Sequence, residues 1–196
     1  RILTDPGNYT ATPHVENIDV ILISHEHPDH CHIDAIKEIL TKNPQAQIIT
    51  HQSVGKILEE QGITYTLIAD QEEFILQDVA FQSFGTEHAC IHHDLPPVQN
   101  TGFFINKFLF YPGDSFHNPH QDIHVLALPV SGPWMKLEEA IEYAKTLKPK
   151  IVFPVHDGML QQEHQLGPTR RIPQMLLEPL GIEYRDMREG SVESFE

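Results

Sequence analysis

The sequence predicts an α/β fold, in which short β-strands alternate with amphipathic helices around an apolar core. Two patterns support this. Apolar, β-rich runs end at turn residues, as in residues 18–24, and other segments place apolar residues at helical spacing, as in residues 33–40. The chain has 196 residues, of which 40% are hydrophobic and 21% charged. This length and composition favour one domain, residues 1–196, with a sizeable core.

The first half of the chain shows strand and helix patterns in alternation. A strand over residues 18–24 comes before a helix over residues 33–40. A second strand over residues 47–50 comes before a helix over residues 53–61, for which Ser53 is the expected cap. Strand and helix therefore follow one another twice.

The middle of the chain has antiparallel character. Its turns are expected at Gln77-Asp78 and at Asn106-Lys107, each between two β-rich runs. Further along, the pattern returns to alternating strands and helices, which completes a mixed sheet with helices outside. The predicted strands are residues 63–68, 73–76, 79–84, 103–105, 108–111, 123–128, 151–155 and 182–184, and the predicted helices are residues 137–147 and 169–177.

Charge and composition exclude several classes of protein. The chain carries 28 acidic and 13 basic residues, a formal net charge of −15, so a large basic surface for nucleic acid is not expected. No apolar run approaches the roughly 20 residues of a membrane span. The two cysteines, Cys31 and Cys90, are too few for a disulfide scaffold and favour a reducing compartment, the cytoplasm. The oligomeric state stays open, a homo-oligomer included.

Histidine is the unusual component, with 14 residues. The densest group is His25, His27, Asp29 and His30, which follows the strand of residues 18–23 directly. Imidazole nitrogens suit zinc and related divalent metals, and the carboxylate adds charge and a hard oxygen ligand. A solvated loop that happens to be rich in histidine is the plain alternative, but four potential ligands within six residues favour a metal site.

A metal site needs ligands that arrive from several directions. Three later residues could supply such ligands, because each follows a β-rich run: His88, Asp114 and His156. Strand ends place side chains on one rim of a sheet. Taken singly each residue is a weak signal, since a lone histidine is commonly bonded to a backbone carbonyl and Gly-Asp is an ordinary turn.

In this order the motifs resemble the metallo-β-lactamase superfamily, whose pattern is H-x-H-x-D-H, a distant His, an Asp after Gly, and a final His. The resemblance runs from Asp5-Pro6-Gly7 to Pro154-Val155-His156. Three stretches look most like the lactonase-like branch, which contains L-ascorbate-6-phosphate lactonase: Asn100-Thr101-Gly102-Phe103, Pro112-Gly113-Asp114-Ser115 and Leu128-Pro129-Val130-Ser131-Gly132-Pro133-Trp134.

The resemblance implies a four-layer αββα sandwich of mixed sheets with helices outside. Members of the superfamily usually begin with a β-hairpin ahead of the Asp-Pro-Gly turn, whereas this chain starts at that turn. We therefore expect the first strands of the fold to be missing.

The resemblance also implies the ligand set. It places His25, His27 and His88 on one metal, and Asp29, His30 and His156 on a second. Asp114 bridges the two. The expected cofactors are two divalent ions, zinc first and manganese second, which share a hydroxide that attacks the scissile bond.

The expected function is hydrolysis of a small ester, lactone or phosphoester. Asp29 is the expected catalytic carboxylate, which orients the nucleophile or carries a proton. His92 is a candidate substrate contact or proton donor. The equal alternative is that His92 is an ordinary loop residue without a functional role. His93, His117 and Trp134 have no fixed role, and the remaining histidines, among them His14, His51, His120, His124 and His164, are expected to be structural or solvent-facing.

Two other functions stay open at this point. One is a nuclease or nucleotide phosphodiesterase on the same scaffold, which the metal chemistry permits and the acidic charge disfavours. The other is a metal-binding module without catalysis. The sequence does not identify the substrate, because pocket shape and polar contacts select it.

Overall fold

The computed structural model describes residues 1–9, 15–160 and 163–195, with the backbone alone at residues 163–166. These residues form two β-sheets and four α-helices. The strands are β1 (Ile2–Thr4), β2 (Val20–Ile23), β3 (Gln47–Thr50), β4 (Thr66–Leu67), β5 (Glu73–Leu76), β6 (Val79–Phe84), β7 (Gly102–Ile105), β8 (Leu109–Tyr111), β9 (Val125–Pro129), β10 (Ile151–Val155) and β11 (Glu183–Tyr184). The helices are α1 (Ile33–Lys42), α2 (Gln52–Glu60), α3 (Leu137–Leu147) and α4 (Glu163–Leu177), followed by a 3₁₀ turn at Glu178–Leu180.

The first sheet has the order β1-β2-β3-β4, and its neighbouring strands pair in parallel. Helices α1 and α2 connect its strands. Helix α1 buries Ala35, Ile36 and Ile39, three or four residues apart, so one face packs on the sheet. Helix α2 begins after His51, whose Nδ1 accepts a hydrogen bond from the Ser53 amide at 3.2 Å.

The second sheet has the order β11-β10-β9-β8-β7-β6-β5. Strands β5 to β8 pair antiparallel, which confirms the antiparallel prediction, and β8 to β11 pair in parallel. At the turn between β5 and β6, both Gln77 and Asp78 have positive φ, 48° and 66°. Asn106 and Lys107, at the turn between β7 and β8, also have positive φ, 53° each. Two consecutive positive φ angles are typical of the tightest hairpin turns.

The sheets lie face to face between two layers of helices. Between them pack apolar side chains from both sheets, including Leu22, Ile49 and Phe103, all fully buried. Helices α1 and α2 cover the outer face of the first sheet, and α3 and α4 cover that of the second. This confirms the four-layer αββα sandwich. Among the described residues, no helix is long and apolar enough to cross a membrane.

The structure differs from the sequence-based expectations in local detail. The first sheet is wholly parallel over its described strands rather than mixed, and it includes β1, where no strand was expected. A three-residue strand is too short to show an alternating pattern. Helix α4 begins at Glu163 rather than 169 and contains Pro168 and Pro173. A proline in a sequence normally signals a helix boundary, which explains the late predicted start.

Candidate metal centre

The candidate ligands lie together because each follows the end of a strand on the same rim of the sandwich. His25 comes two residues after β2, Asp114 three residues after β8, and His156 directly after β10. His88 follows β6, which runs in the same direction as β8 because both are antiparallel to β7. The fold therefore brings ligands from distant parts of the chain to one place.

The first cluster consists of His25, His27 and His88, with one ligand atom from each within 4.8 Å of the others. His25 Nε2 lies 3.0 Å from His27 Nδ1. Two nitrogens that bind one tetrahedral zinc ion at about 2.0 to 2.1 Å lie about 3.3 Å apart, so this spacing suits a shared metal. Burial lowers the pKa of both His25 and His27, which favours the neutral imidazole that binds metals.

The second cluster consists of Asp29, His30 and His156, again within 4.8 Å. His156 Nε2 lies 3.5 Å from Asp29 Oδ2. Burial alone would lower the pKa of His156, but the carboxylates of Asp114 and Asp29 outweigh it and raise the pKa to about 10. Burial likewise opposes ionisation of Asp29, yet its contacts with His156 and His30 lower its pKa overall. Asp29 is therefore an ionised carboxylate near neutral pH.

Asp114 lies between the two clusters, and its side chain is 3% exposed. Its Oδ1 is 3.3 Å from His30 Nε2, and its Oδ2 is 3.0 Å from His156 Nε2 and 3.4 Å from His88 Nε2. One carboxylate thus reaches ligand nitrogens of both clusters. Burial would raise the pKa of Asp114, but the neighbouring imidazoles of His156 and His88 hold it well below its usual value.

Unsatisfied buried atoms test whether this donor set fits a metal. Four such atoms converge on the centre without a hydrogen-bond partner: His30 Nε2, His88 Nε2, His156 Nε2 and Asp114 Oδ1. Buried polar atoms are almost always bonded, because desolvation without a partner is costly. Divalent metal ions would satisfy these atoms, and imidazole with carboxylate is a donor set that such ions prefer. The residues therefore fit metal ions.

The second ring nitrogens of four histidines are held by oxygen atoms, which fixes the orientation of each ring and leaves the other nitrogen facing the centre. The four contacts are His25 Nδ1 to Ser24 Oγ at 3.0 Å, His30 Nδ1 to Asp5 Oδ2 at 2.6 Å, His88 Nδ1 to the Ala89 carbonyl at 2.5 Å and His156 Nδ1 to the Ser131 carbonyl at 2.6 Å.

Asp5 is the functional residue that the sequence analysis missed. Its carboxylate accepts hydrogen bonds from the Ser24 amide at 2.7 Å, the Ser24 hydroxyl at 2.5 Å and the Tyr111 hydroxyl, in addition to its contact with His30. The position of Asp5 in the chain could have indicated a site residue, because Asp5 directly follows β1 just as His156 follows β10. It went unused because β1 itself was not recognised.

Trp134 contacts the candidate bridging residue directly. Its indole Nε1–H donates to Asp114 Oδ2 at 2.6 Å, and its ring packs edge-on against His88 and His156, with centroid distances of 5.8 and 6.1 Å. The sequence assigned no fixed role to Trp134. Trp134 is 93% buried, and its hydrogen bond orients the Asp114 carboxylate.

Gly7 packs against the backbone that carries the second cluster. A Cβ atom at Gly7 would lie 1.7 Å from the Asp29 carbonyl oxygen and 2.1 Å from its carbonyl carbon, a separation that atoms cannot adopt. The amide of Asn8 also donates to the Pro28 carbonyl at 3.1 Å. The Asp-Pro-Gly turn therefore supports the loop of Asp29 and His30, and a side chain there would displace it.

His92, the second candidate catalytic residue, lies apart from the metal ligands. Its side chain is 55% exposed and its ring stacks on His93 at 4.3 Å, with Asp94 nearby. It does line a cavity of about 480 Å³ that His27 and His88 also line. Its role stays a prediction. Cys90 is exposed in the same cavity, whereas Cys31 is buried and has a pKa raised to about 12 by burial.

His51 and His124 belong to none of the groups that could hold a metal ion among the described residues. His51 is buried and binds the Ser24 carbonyl at 2.9 Å, and His124 stacks on Phe108 at 4.5 Å, so both are structural. His117 and His120 are exposed. His14, and the side chain of His164, lie outside the described residues.

The two clusters should differ in the protons that they release when metal binds. The pKa of His156 is raised to about 10, because Asp114 and Asp29 outweigh burial, so its imidazole holds an extra proton at pH 7. The pKa of His30 is also raised, since Asp5 outweighs the effect of burial. His25 and His27 have lowered pKa values and hold none. We expect binding at the second cluster to release roughly one to two protons and to tighten as pH rises from 6 to 8.

Calorimetric titration of the metal-free protein in buffers of different ionisation enthalpy measures this release directly. His156→Ala should abolish most of it, whereas His120→Ala, at an exposed position, should not change it. Equal proton release at both clusters would show that the charge states inferred here are wrong.

Comparisons with known proteins agree with the fold. A family model described as the Beta-lactamase superfamily domain matches residues 1–156. Protein Rv0786c of Mycobacterium tuberculosis is 28% identical over 166 residues, covering 82% of this chain and 77% of that protein. A UPF0173 metal-dependent hydrolase of Thermoplasma acidophilum is 25% identical over 164 residues, covering 79% and 72%.

Among solved structures, Igni18, a metallo hydrolase of Ignicoccus hospitalis, superposes with a TM-score of 0.69 at 20% identity, covering 91% of this chain and 79% of its own. This likeness concerns the fold. The family match is stronger evidence of an evolutionary relationship, because it spans β1 to β10 and every candidate ligand from His25 to His156. The chain therefore belongs to the β-lactamase superfamily domain family and has the metallo-β-lactamase fold.

Proposed function

We propose that this protein is a metal-dependent hydrolase that uses two divalent ions to cleave a small ester, lactone or phosphoester. The observation that carries the proposal is the position of Asp114, whose carboxylate lies within 3.4 Å of ligand nitrogens from both histidine clusters. A single ion would leave one of the two clusters unused. The names of relatives such as the Thermoplasma acidophilum metal-dependent hydrolase support the same activity class.

The ions would be held by His25, His27 and His88 on one side and by Asp29, His30 and His156 on the other. Five histidines with two carboxylates favour zinc, and the carboxylates also admit manganese. When bound, such ions polarise the scissile group and make hydroxide available near neutral pH by lowering the pKa of water.

The protein's own side chains would position the attacking water and transfer the protons. Asp29 is ionised and 17% exposed, so it can orient the attacking water and accept its proton. His92 lines the cavity beside His27 and His88, which suits a donor of a proton to the leaving group. The lactonase-like resemblance and the cytoplasmic location remain part of this proposal and rest on the sequence alone.

Removal of metal should abolish hydrolysis. We expect a chelator such as EDTA, followed by dialysis, to eliminate turnover of a panel of carboxylic esters, lactones and phosphodiesters, because the protein's own groups supply no comparable nucleophile. Zinc or manganese should restore it at two ions per chain. Full hydrolysis by protein with less than one ion per chain would contradict the proposal.

A nuclease on the same scaffold would behave differently in the same panel. Its affinity for single-stranded RNA would fall steeply with salt, since phosphate contacts release counterions. With a formal charge of −15, we expect no such binding. A steep salt dependence together with cleavage of RNA would favour the nuclease instead.

A further inference from the structure

The larger cavity beside the metal centre combines candidate metal ligands with aliphatic side chains. It has a volume of about 480 Å³, within the range of small-molecule sites. His27 and His88 contribute to its wall, together with Ile91, Leu95 and Val98. Ile91 is 40% exposed and Leu95 55% exposed, so the cavity presents hydrocarbon to solvent next to the centre. Apolar surface of this kind is typical of a ligand-binding site.

The wall of this cavity is held in place by the backbone. The amide of His88 donates to the Val98 carbonyl at 2.9 Å, and this bond joins the two ends of the loop of residues 88–98. The amide of Ala89 donates to the Asp114 carbonyl at 2.8 Å, which ties the loop to the metal centre. Pro96 and Pro97 restrict the backbone further, because proline fixes φ. The cavity is therefore preformed, and its position relative to the ligands is set.

The charge of the cavity indicates which substrates it accepts. Among its lining residues, all in the described part of the chain, there is no lysine or arginine, and Glu87 adds a carboxylate. Phosphate groups are recognised chiefly by arginine, lysine and backbone amides. This wall offers none of those cationic side chains, so it does not suit an anionic group on the part of the substrate that lies against it.

The second cavity, of about 370 Å³, does contain arginines, but carboxylates neutralise them. Arg170 donates from Nη1 to Asp186 at 2.7 Å and from Nη2 to Asp157 at 2.5 Å. Arg188 lies 3.3 Å from the same Asp186. These guanidinium groups are thus engaged in ion pairs, and neither cavity provides a site built for phosphate.

We propose that the larger cavity binds the aliphatic part of a neutral carboxylic ester or lactone. The proposal rests on the hydrolase function and narrows its substrate class to esters and lactones with an uncharged aliphatic part. In the reaction, the oxygen of water forms a bond to the acyl carbon and the bond from that carbon to the alcohol oxygen breaks. One proton of the water passes to the departing alcohol oxygen, so a carboxylic acid and an alcohol are released.

A series of straight-chain acyl esters, from acetate to hexanoate, tests the proposal. For the metal-loaded protein, kcat/KM should rise about fourfold with each added methylene until the cavity is full, because each buried methylene contributes about 0.8 kcal/mol. Leu95→Ser should lower kcat/KM for the hexanoate about tenfold and change it less than twofold for the acetate. Phosphorylated substrates should be hydrolysed poorly by both proteins.

Leu180→Ser is the matched control, because Leu180 is 59% exposed and lies outside the cavity. It should behave as the wild type does, with unchanged metal content in all three proteins. A flat chain-length series, or an equal loss on every ester in Leu95→Ser, would overturn the substrate class while leaving the hydrolase function in place.

A binding measurement keeps the test independent of turnover. In saturation-transfer NMR, hexanol should bind the metal-loaded wild type and the Leu180→Ser control, and its signal should weaken markedly with Leu95→Ser. Hexanol binding that is the same in all three would overturn the proposal. Absence of hydrolysis of every compound, with hexanol binding as expected, would instead contradict the proposed function and leave the apolar site.

Discussion

Asp114→Asn is expected to lower metal binding at both histidine clusters and to reduce hydrolysis by at least about 100-fold, because even residues that only support a ligand cost 10- to 100-fold when replaced. Asn keeps the size of the side chain and can still accept the Trp134 hydrogen bond. It removes the negative charge and one of the two oxygens that face His30 and His156. The change therefore isolates the bridging role from packing.

Metal content after dialysis and the fluorescence of Trp134 measure this effect separately. Trp134 is the only tryptophan and bonds Asp114, so its emission should change when metal binds to the wild type. In Asp114→Asn that change should require much higher metal concentrations. Asp122→Asn, the same chemical change at an exposed position, should match the wild type. If Asp114→Asn still binds two ions with unchanged affinity, Asp114 does not bridge them.

The sequence predicts the fold well where the pattern is local. Strand β2 consists of four consecutive apolar residues, and the β5–β6 hairpin turns at the polar pair Gln77-Asp78. These signals lie within a few residues, so one sequence reveals them. The start of α4 and the existence of β1 depend on tertiary packing instead. A two- or three-residue strand forms because a neighbouring strand is already in place to pair with it.

The same distinction applies to the site. His25, His27, Asp29 and His30 lie within six residues, and their spacing alone indicates a metal. Asp5 has no such local signal, because its partners are brought to it by the fold. Its hydrogen bond with Tyr111 joins residues 106 positions apart. The contact of Trp134 with Asp114 likewise depends on how α3 and β8 are placed, so the residues that orient ligands are harder to predict than the ligands.

Asp5→Asn should lower the free energy of unfolding of the metal-free protein by about 2 to 4 kcal/mol. Asp5 is 6% exposed and its two oxygens accept from the Ser24 amide, the Ser24 hydroxyl, the Tyr111 hydroxyl and His30. In the variant one of these oxygens becomes an NH₂ group, which faces donors rather than acceptors. Each buried donor left without a partner costs about 1 to 3 kcal/mol, so even partial rearrangement leaves a large deficit.

The effect on metal binding should be larger at one cluster than at the other. His30 loses the carboxylate that holds its Nδ1, so metal affinity at Asp29, His30 and His156 should fall about 10- to 100-fold. His25 is linked to Asp5 through the Ser24 hydroxyl, which contacts both, so metal affinity at the first cluster should fall less. Urea unfolding measures stability and metal titration measures affinity, so together they separate the two effects. Asp19→Asn, the same substitution at a site that is 32% exposed, is the control. An Asp5→Asn protein with wild-type stability and equal weakening at both clusters would show that Asp5 does not act through His30.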